Sequence, residues 1–192
     1  ISFLIIIAAF AKATMEGFFG KGCYDNKKAY TPMNRNKAKV AKWAFNGKQL
    51  HDSATVCNWM WPMTQSPSKK RNYVGDLNLE ADFMTAVTGV NYTRESLEFA
   101  AERISQMLRV MTAISFNIAF GDTSLRDTHD AIPDWVFDQD PDFKPFEEGT
   151  YKMDRDDMET AKDYFYEEMG WGVKTGIPTR KTLEKFGLTG MA

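Results

Sequence analysis

Apolar residues recur along this chain mostly at three- and four-residue spacing, and the pattern breaks wherever Gly, Pro or Asp accumulate. The clearest stretch is 94–116, where Leu97, Ala100, Ala101, Ile104, Leu108 and Met111 fall on one helical stripe. Thr93 precedes it as a cap, and Arg94 and Glu98 sit four apart on the wet face. A second stripe, Met158, Ala161, Phe165 and Met169, opens after Asp154 and ends at Gly170. A shorter pattern with Leu79, Phe83, Ala86 and Val87 starts around Asn78 and stops at Gly89. Thr179 caps a last short helix containing Leu183 and Phe186, closed by Gly187. Nearer the N-terminus, Phe10 to Phe19 reads as a helix ended by Gly20 or Gly22. Asn36 is placed to cap a helix over 37–50, with Val40, Trp43, Ala44 and Leu50 near helical spacing.

The segments between these patterns read as loops. Residues 20–35 are rich in Gly, Asn and Lys; 62–76 carry Pro62, Pro67 and the basic triplet Lys69-Lys70-Arg71; 121–153 are dense in Asp and Pro and lack any period. No sustained period-2 alternation occurs, so the fold class is mainly α: a multi-helical domain with long irregular connections. The 121–153 connection is longer than a compact domain usually tolerates, which predicts that it runs over a larger body. The first ten residues, from Ile1 to Phe10, are almost wholly apolar. They are too few to span a bilayer, which takes about 20, and they lack the basic start and small-residue cleavage site of a signal peptide. The expectation is an internal segment of a longer polypeptide, its apolar run packed against what precedes it.

Composition narrows the function. Of 192 residues, 43% are hydrophobic and 14% aromatic, enough for a real core and against a disordered chain. A net charge of -2 gives no electrostatic case for nucleic-acid binding. Two cysteines, Cys23 and Cys57, are too few for a disulfide scaffold, a structural zinc or an iron–sulfur cluster held by protein thiolates alone. With two histidines besides, this chain cannot supply a full set of metal ligands by itself.

Asp138, Asp140 and Asp142 are spaced like the start of a calcium loop, but Phe143 replaces the required Gly and Gly149 the closing Glu, leaving a solvated acidic loop. The basic triplet reads as an exposed turn, and His129 as a surface or hydrogen-bonded structural group. Cys23 alone means little. Cys57 differs, because Asp52-Ser-Ala-Thr-Val-Cys57 puts a carboxylate five residues before a thiol at the end of a helical pattern. Such an Asp accepts hydrogen bonds from a ligand's polar N–H groups, and such a thiolate ligates iron. A buried, inert cysteine is the other reading of the same residues.

Four stretches resemble the C-terminal part of the tungsten-containing aldehyde:ferredoxin oxidoreductase family. The first is Asp52 to Cys57, against the family's pterin motif Asp-x-x-Gly-Leu-Cys; Thr55 stands for Gly and Val56 for Leu. The second is Ala86-Val-Thr-Gly89 with Glu102-Arg103-Ile104 and Arg109. The third is Phe116-Asn117, Gly121, Arg126-Asp127 and Asp130-Ala-Ile-Pro133. The fourth, and most specific, is Tyr164-Phe-Tyr-Glu-Glu-Met-Gly170-Trp171 followed by Gly176-Ile-Pro-Thr179, Leu183 and Phe186-Gly-Leu188. Residues 20–50 agree more loosely, and the first ten match nothing in the family pattern.

The resemblance implies a cytoplasmic, anaerobic oxidoreductase that oxidises an aldehyde or related substrate at a bis-pterin tungsten or molybdenum centre. It implies a 4Fe-4S cluster that passes electrons to ferredoxin or a partner subunit. It makes Cys57 a 4Fe-4S ligand and Asp52 a pterin contact. Both cofactors would be shared with the remainder of the same polypeptide, which holds an upstream Cys-x2-Cys-x3-Cys motif and the N-terminal pterin-binding domain. It assigns no catalytic residue here, and this chain alone would be inactive. The competing expectation is a truncated, non-catalytic helical interaction domain derived from the same family.

Overall fold

The computed structural model describes residues 12–23, 33–57, 69–71, 75–134, 137 and 154–191. Among them are six α-helices: α1 (Lys12–Phe19), α2 (Arg35–Ser53), α3 (Leu79–Thr88), α4 (Arg94–Phe120), α5 (Arg155–Met169) and α6 (Arg180–Lys185). The β-structure among these residues is one isolated antiparallel bridge between Trp171 and Pro178. The chain is therefore mainly α, as its apolar spacing predicts. The apolar run 1–10 and Asp138, Asp140 and Asp142 lie outside the described residues.

Helix ends follow side-chain chemistry. Asp154 accepts from the Asp157 amide at 2.7 Å and opens α5, and Thr179 accepts from the Thr182 amide to open α6. At α4, Thr93 and Ser96 cap reciprocally: Thr93 Oγ1 accepts from the Ser96 amide at 3.2 Å, and Ser96 Oγ from the Thr93 amide at 2.9 Å. Gly89 and Gly170 end α3 and α5 in left-handed backbone. Asn36 is not the cap of α2. That role falls to Asn34, whose Oδ1 accepts from the Lys37 amide at 2.9 Å, while Asn36 reaches back to the Lys21 carbonyl at 3.0 Å. Either Asn suits a cap in isolation; Asn34 takes the position because the helix begins at Arg35.

The chain divides into two compact units, Ile1–Thr14 with Trp43–Leu108, and Met15–Lys42 with Arg109–Ala192. The first buries Ala81, Leu97 and Ala101 together with the polar Asn46, His51, Ser105 and Gln106. The second has two apolar clusters: Val110, Leu183, Phe186 and Leu188, and Tyr166, Met169 and Trp171. One expectation fails on α4. Leu108 and Met111 are 42% and 53% exposed, whereas Ser105, Gln106 and Arg109 are buried. The buried line runs Leu97, Ala101, Ser105, Arg109, and Arg109 can occupy it because its charge is matched inside its unit, as described below. No described helix is long and apolar enough to cross a membrane.

Candidate functional site

In the first unit, α2 closes in a tight turn that carries Asp52 and leads to Cys57. The Ala54 amide donates to the Leu50 carbonyl at 2.8 Å, and the Val56 amide to the His51 carbonyl at 3.1 Å. Thr55 between them has φ +57°, the one non-glycine residue with positive φ among the described residues. A six-to-one bond closing over a left-handed residue is the Schellman arrangement, which favours Gly at the left-handed position and an apolar residue directly after it. Val56 supplies that apolar residue and lines a small gap together with Leu50, Ala54, Phe83, Met84 and Leu97.

Both singled-out side chains lie at the surface of this turn. Asp52 is exposed and meets Lys48 Nζ, one turn back, at 3.1 and 3.3 Å. Cys57 is an exposed free thiol, which overturns the reading of a buried, inert cysteine. Cys23 is the buried one, in the second unit; burial, with Glu16 adding to it, pushes its thiol above the ordinary value. Beside the turn is a pair the sequence does not announce. The His51 side chain is 2% exposed, and its Nε2 lies 2.5 Å from Glu80 Oε1 in the first turn of α3. The two are 29 residues apart, so no local motif links them.

The second unit gathers three of the stretches that carry the family resemblance around one carboxylate. Asp130 receives Arg109 through both terminal guanidinium nitrogens, one at 3.0 Å. It also accepts from the Tyr166 hydroxyl at 2.5 Å and meets His129 Nδ1 at 2.7 Å. Arg109 further donates to the Gly176 carbonyl at 2.7 Å and lies over the Trp171 ring at 4.4 Å. Burial raises the Asp130 pKa, but the bonds from Arg109, Tyr166 and His129 outweigh it and hold the carboxyl below its usual value. Burial, with the Asp130 bond, pushes the Tyr166 hydroxyl well above its own. Arg126 makes a parallel tie to Asp163 at 2.6 Å, Glu159 at 2.8 Å and the Val173 carbonyl at 2.8 Å. These groups bond one another and fasten α4, the 124–130 turn and α5 together. His129, edge-on to Phe116 at 5.0 Å, is the hydrogen-bonded structural group expected.

Among the described residues no group of three His, Cys, Asp or Glu side chains could hold a metal. Cys57 and Asp52, five residues apart in the chain, are both exposed. The helical architecture and the motifs joined at Asp130 together define the C-terminal portion of an oxidoreductase family. The chain belongs to the family described as aldehyde ferredoxin oxidoreductase, domains 2 & 3, which matches residues 8–188. It also shares its fold with a solved structure described as the active site complex BamBC of benzoyl coenzyme A reductase in complex with 1,5-dienoyl-CoA. The likeness has a TM-score of 0.59 over 97% of this chain at 18% identity. The chain spans 25% of the length of that relative.

Proposed function

We propose that this chain is the C-terminal part of a tungsten or molybdenum bis-pterin oxidoreductase. The enzyme would oxidise an aldehyde or comparable substrate and pass the electrons to ferredoxin or a partner subunit. In this reading residues 1–192 form the C-terminal helical part, and the N-terminal pterin-binding domain and cluster cysteines belong to the remainder of the same polypeptide. The observation that supports it most is the turn at 50–57. The family's Asp-x-x-Gly-Leu-Cys motif is what a Schellman closure requires, with Gly left-handed, Leu apolar and Cys emerging just beyond. Thr55 holds that left-handed backbone at the position of the motif's Gly.

Cys57 then supplies one thiolate to a 4Fe-4S cluster, and Asp52 accepts hydrogen bonds from polar N–H groups of a pterin. When bound, the metal centre supplies two-electron chemistry and the cluster carries the electrons singly. Lys48 meets the Asp52 carboxylate on the helix surface. The ties at Asp130 and Arg126 keep the second unit rigid. The enzyme is placed in the cytoplasm.

The test uses the complete polypeptide, reconstituted anaerobically. Cys57→Ser should lose cluster iron and its EPR signal, because an alkoxide suits iron–sulfur chemistry poorly, while Cys23→Ser should keep both. Full iron and an unchanged signal in Cys57→Ser would sink the assignment. The 192-residue chain alone should bind no cluster, since such a cluster takes four thiolates and the chain has two.

A further inference from the structure

We infer that His51 is a positioning residue for Cys57, acting through its pairing with Glu80 and through the turn that its own backbone closes. The inference rests on the reading of Cys57 as a cluster ligand and adds a residue that no motif contains. His51 holds the turn at two ends. Its carbonyl accepts the Val56 amide at 3.1 Å, the bond that folds the chain back immediately before Cys57. Its side chain, 2% exposed, is held by Glu80 at 2.5 Å, which fastens the last turn of α2 to the first turn of α3.

Apolar groups surround the pair, with Leu50, Ala54, Val56, Phe83, Met84 and Leu97 lining the same gap. In such surroundings a hydrogen bond to a carboxylate is stronger than in water. The clamp answers a local weakness. A β-branched residue at φ +57° resists the backbone it must adopt, so the turn at Thr55 is less self-supporting than one built on Gly. A pair whose imidazole is buried, anchoring the residue that receives the closing bond, offsets that loss. Cys57 directly follows the bonded Val56, so slack in the turn passes directly to the sulfur. Groups that orient a ligand from behind tune metal sites in this way.

The experiment uses the complete, reconstituted enzyme and reads cluster EPR and midpoint potential, with far-UV circular dichroism as the check on folding. His51→Leu should keep the helical spectrum, broaden the EPR signal into more than one component and shift the potential. His51→Gln, whose amide still donates to Glu80, should restore the single signal. So should Thr55→Gly placed in the His51→Leu background, because Gly lets the turn stand without the clamp. If His51→Leu does not fold, Glu80→Ala, which removes the acceptor, carries the same comparison. An unchanged signal and potential in the folded clamp variant overturn the inference, as does a shifted signal that Thr55→Gly fails to restore. If instead Cys57→Ser keeps its cluster, it is the ligand assignment beneath it that has failed.

Discussion

Replacing Thr55 by Gly should stabilise the protein. Left-handed backbone costs an L-residue about 1–2 kcal/mol, and a β-branched side chain sits toward the upper end. Thr55 pays this at φ +57°. Its side chain is exposed, so little burial is lost on removal. Against the gain stands the greater freedom of Gly in the unfolded chain, about 0.5–1 kcal/mol. The net is a stabilisation of about 0.5–1 kcal/mol, or roughly 1–4 °C in Tm for a protein of this size. Urea titration followed by circular dichroism at 222 nm measures it as a higher midpoint at constant slope. Thr55→Ala is the control, since Ala keeps a Cβ in the left-handed region and should gain little. Equal stabilisation by Ala and Gly would refute the reasoning, because the benefit would then come from losing the Thr side chain and not from relieving the backbone.

Gly176→Ala should destabilise by about 2–4 kcal/mol, because at φ +66° an added Cβ would come within 2.7 Å of Arg109 and 3.0 Å of Tyr166; a urea midpoint equal to wild type would contradict this. Asp130 has a depressed pKa in the folded state, so its stabilisation is fully present above its unfolded value, near 3.9, and is lost as pH falls through the lower folded one. Asp130→Asn should accordingly be less stable than wild type at pH 7 by about 3–5 kcal/mol, and the gap should narrow as both are titrated toward pH 2. A gap that stays constant across that range would show that the carboxylate charge is not what Arg109 needs.

Much of the helical scaffold is readable in the sequence because its signals are local. Thr93, Asp154 and Thr179 cap through amides three residues away, and Gly89 and Gly170 stop helices by adopting backbone few other residues accept. The face of α4 is not readable this way. Hydropathy assigns Leu108 to the core and Arg109 to water, yet Arg109 goes inside because Asp130 and Gly176, 21 and 67 residues away, neutralise and bond it. The candidate site divides likewise. Asp52 and Cys57 are visible as a spacing, whereas the His51–Glu80 pair is formed by the approach of two helices and leaves no trace in either segment. Thr55 is instructive, since a β-branched residue at the position of the family motif's Gly still adopts left-handed backbone.

The ties at Asp130 and Arg126 bear on how ancestry and chemistry travel together. The most recognisable signatures of the family, Arg109, Arg126, Asp130, Tyr166, Trp171 and Gly176, are engaged with one another in the second unit. Their printed side-chain bonds run mostly to one another and to neighbouring backbone. A descendant that lost its redox centre would still be selected to keep them, since its helices would otherwise come apart. Kinship can therefore outlive activity in this lineage, and on the function proposed above the eight residues from 50 to 57 would be the sharper gauge of whether a given member still moves electrons.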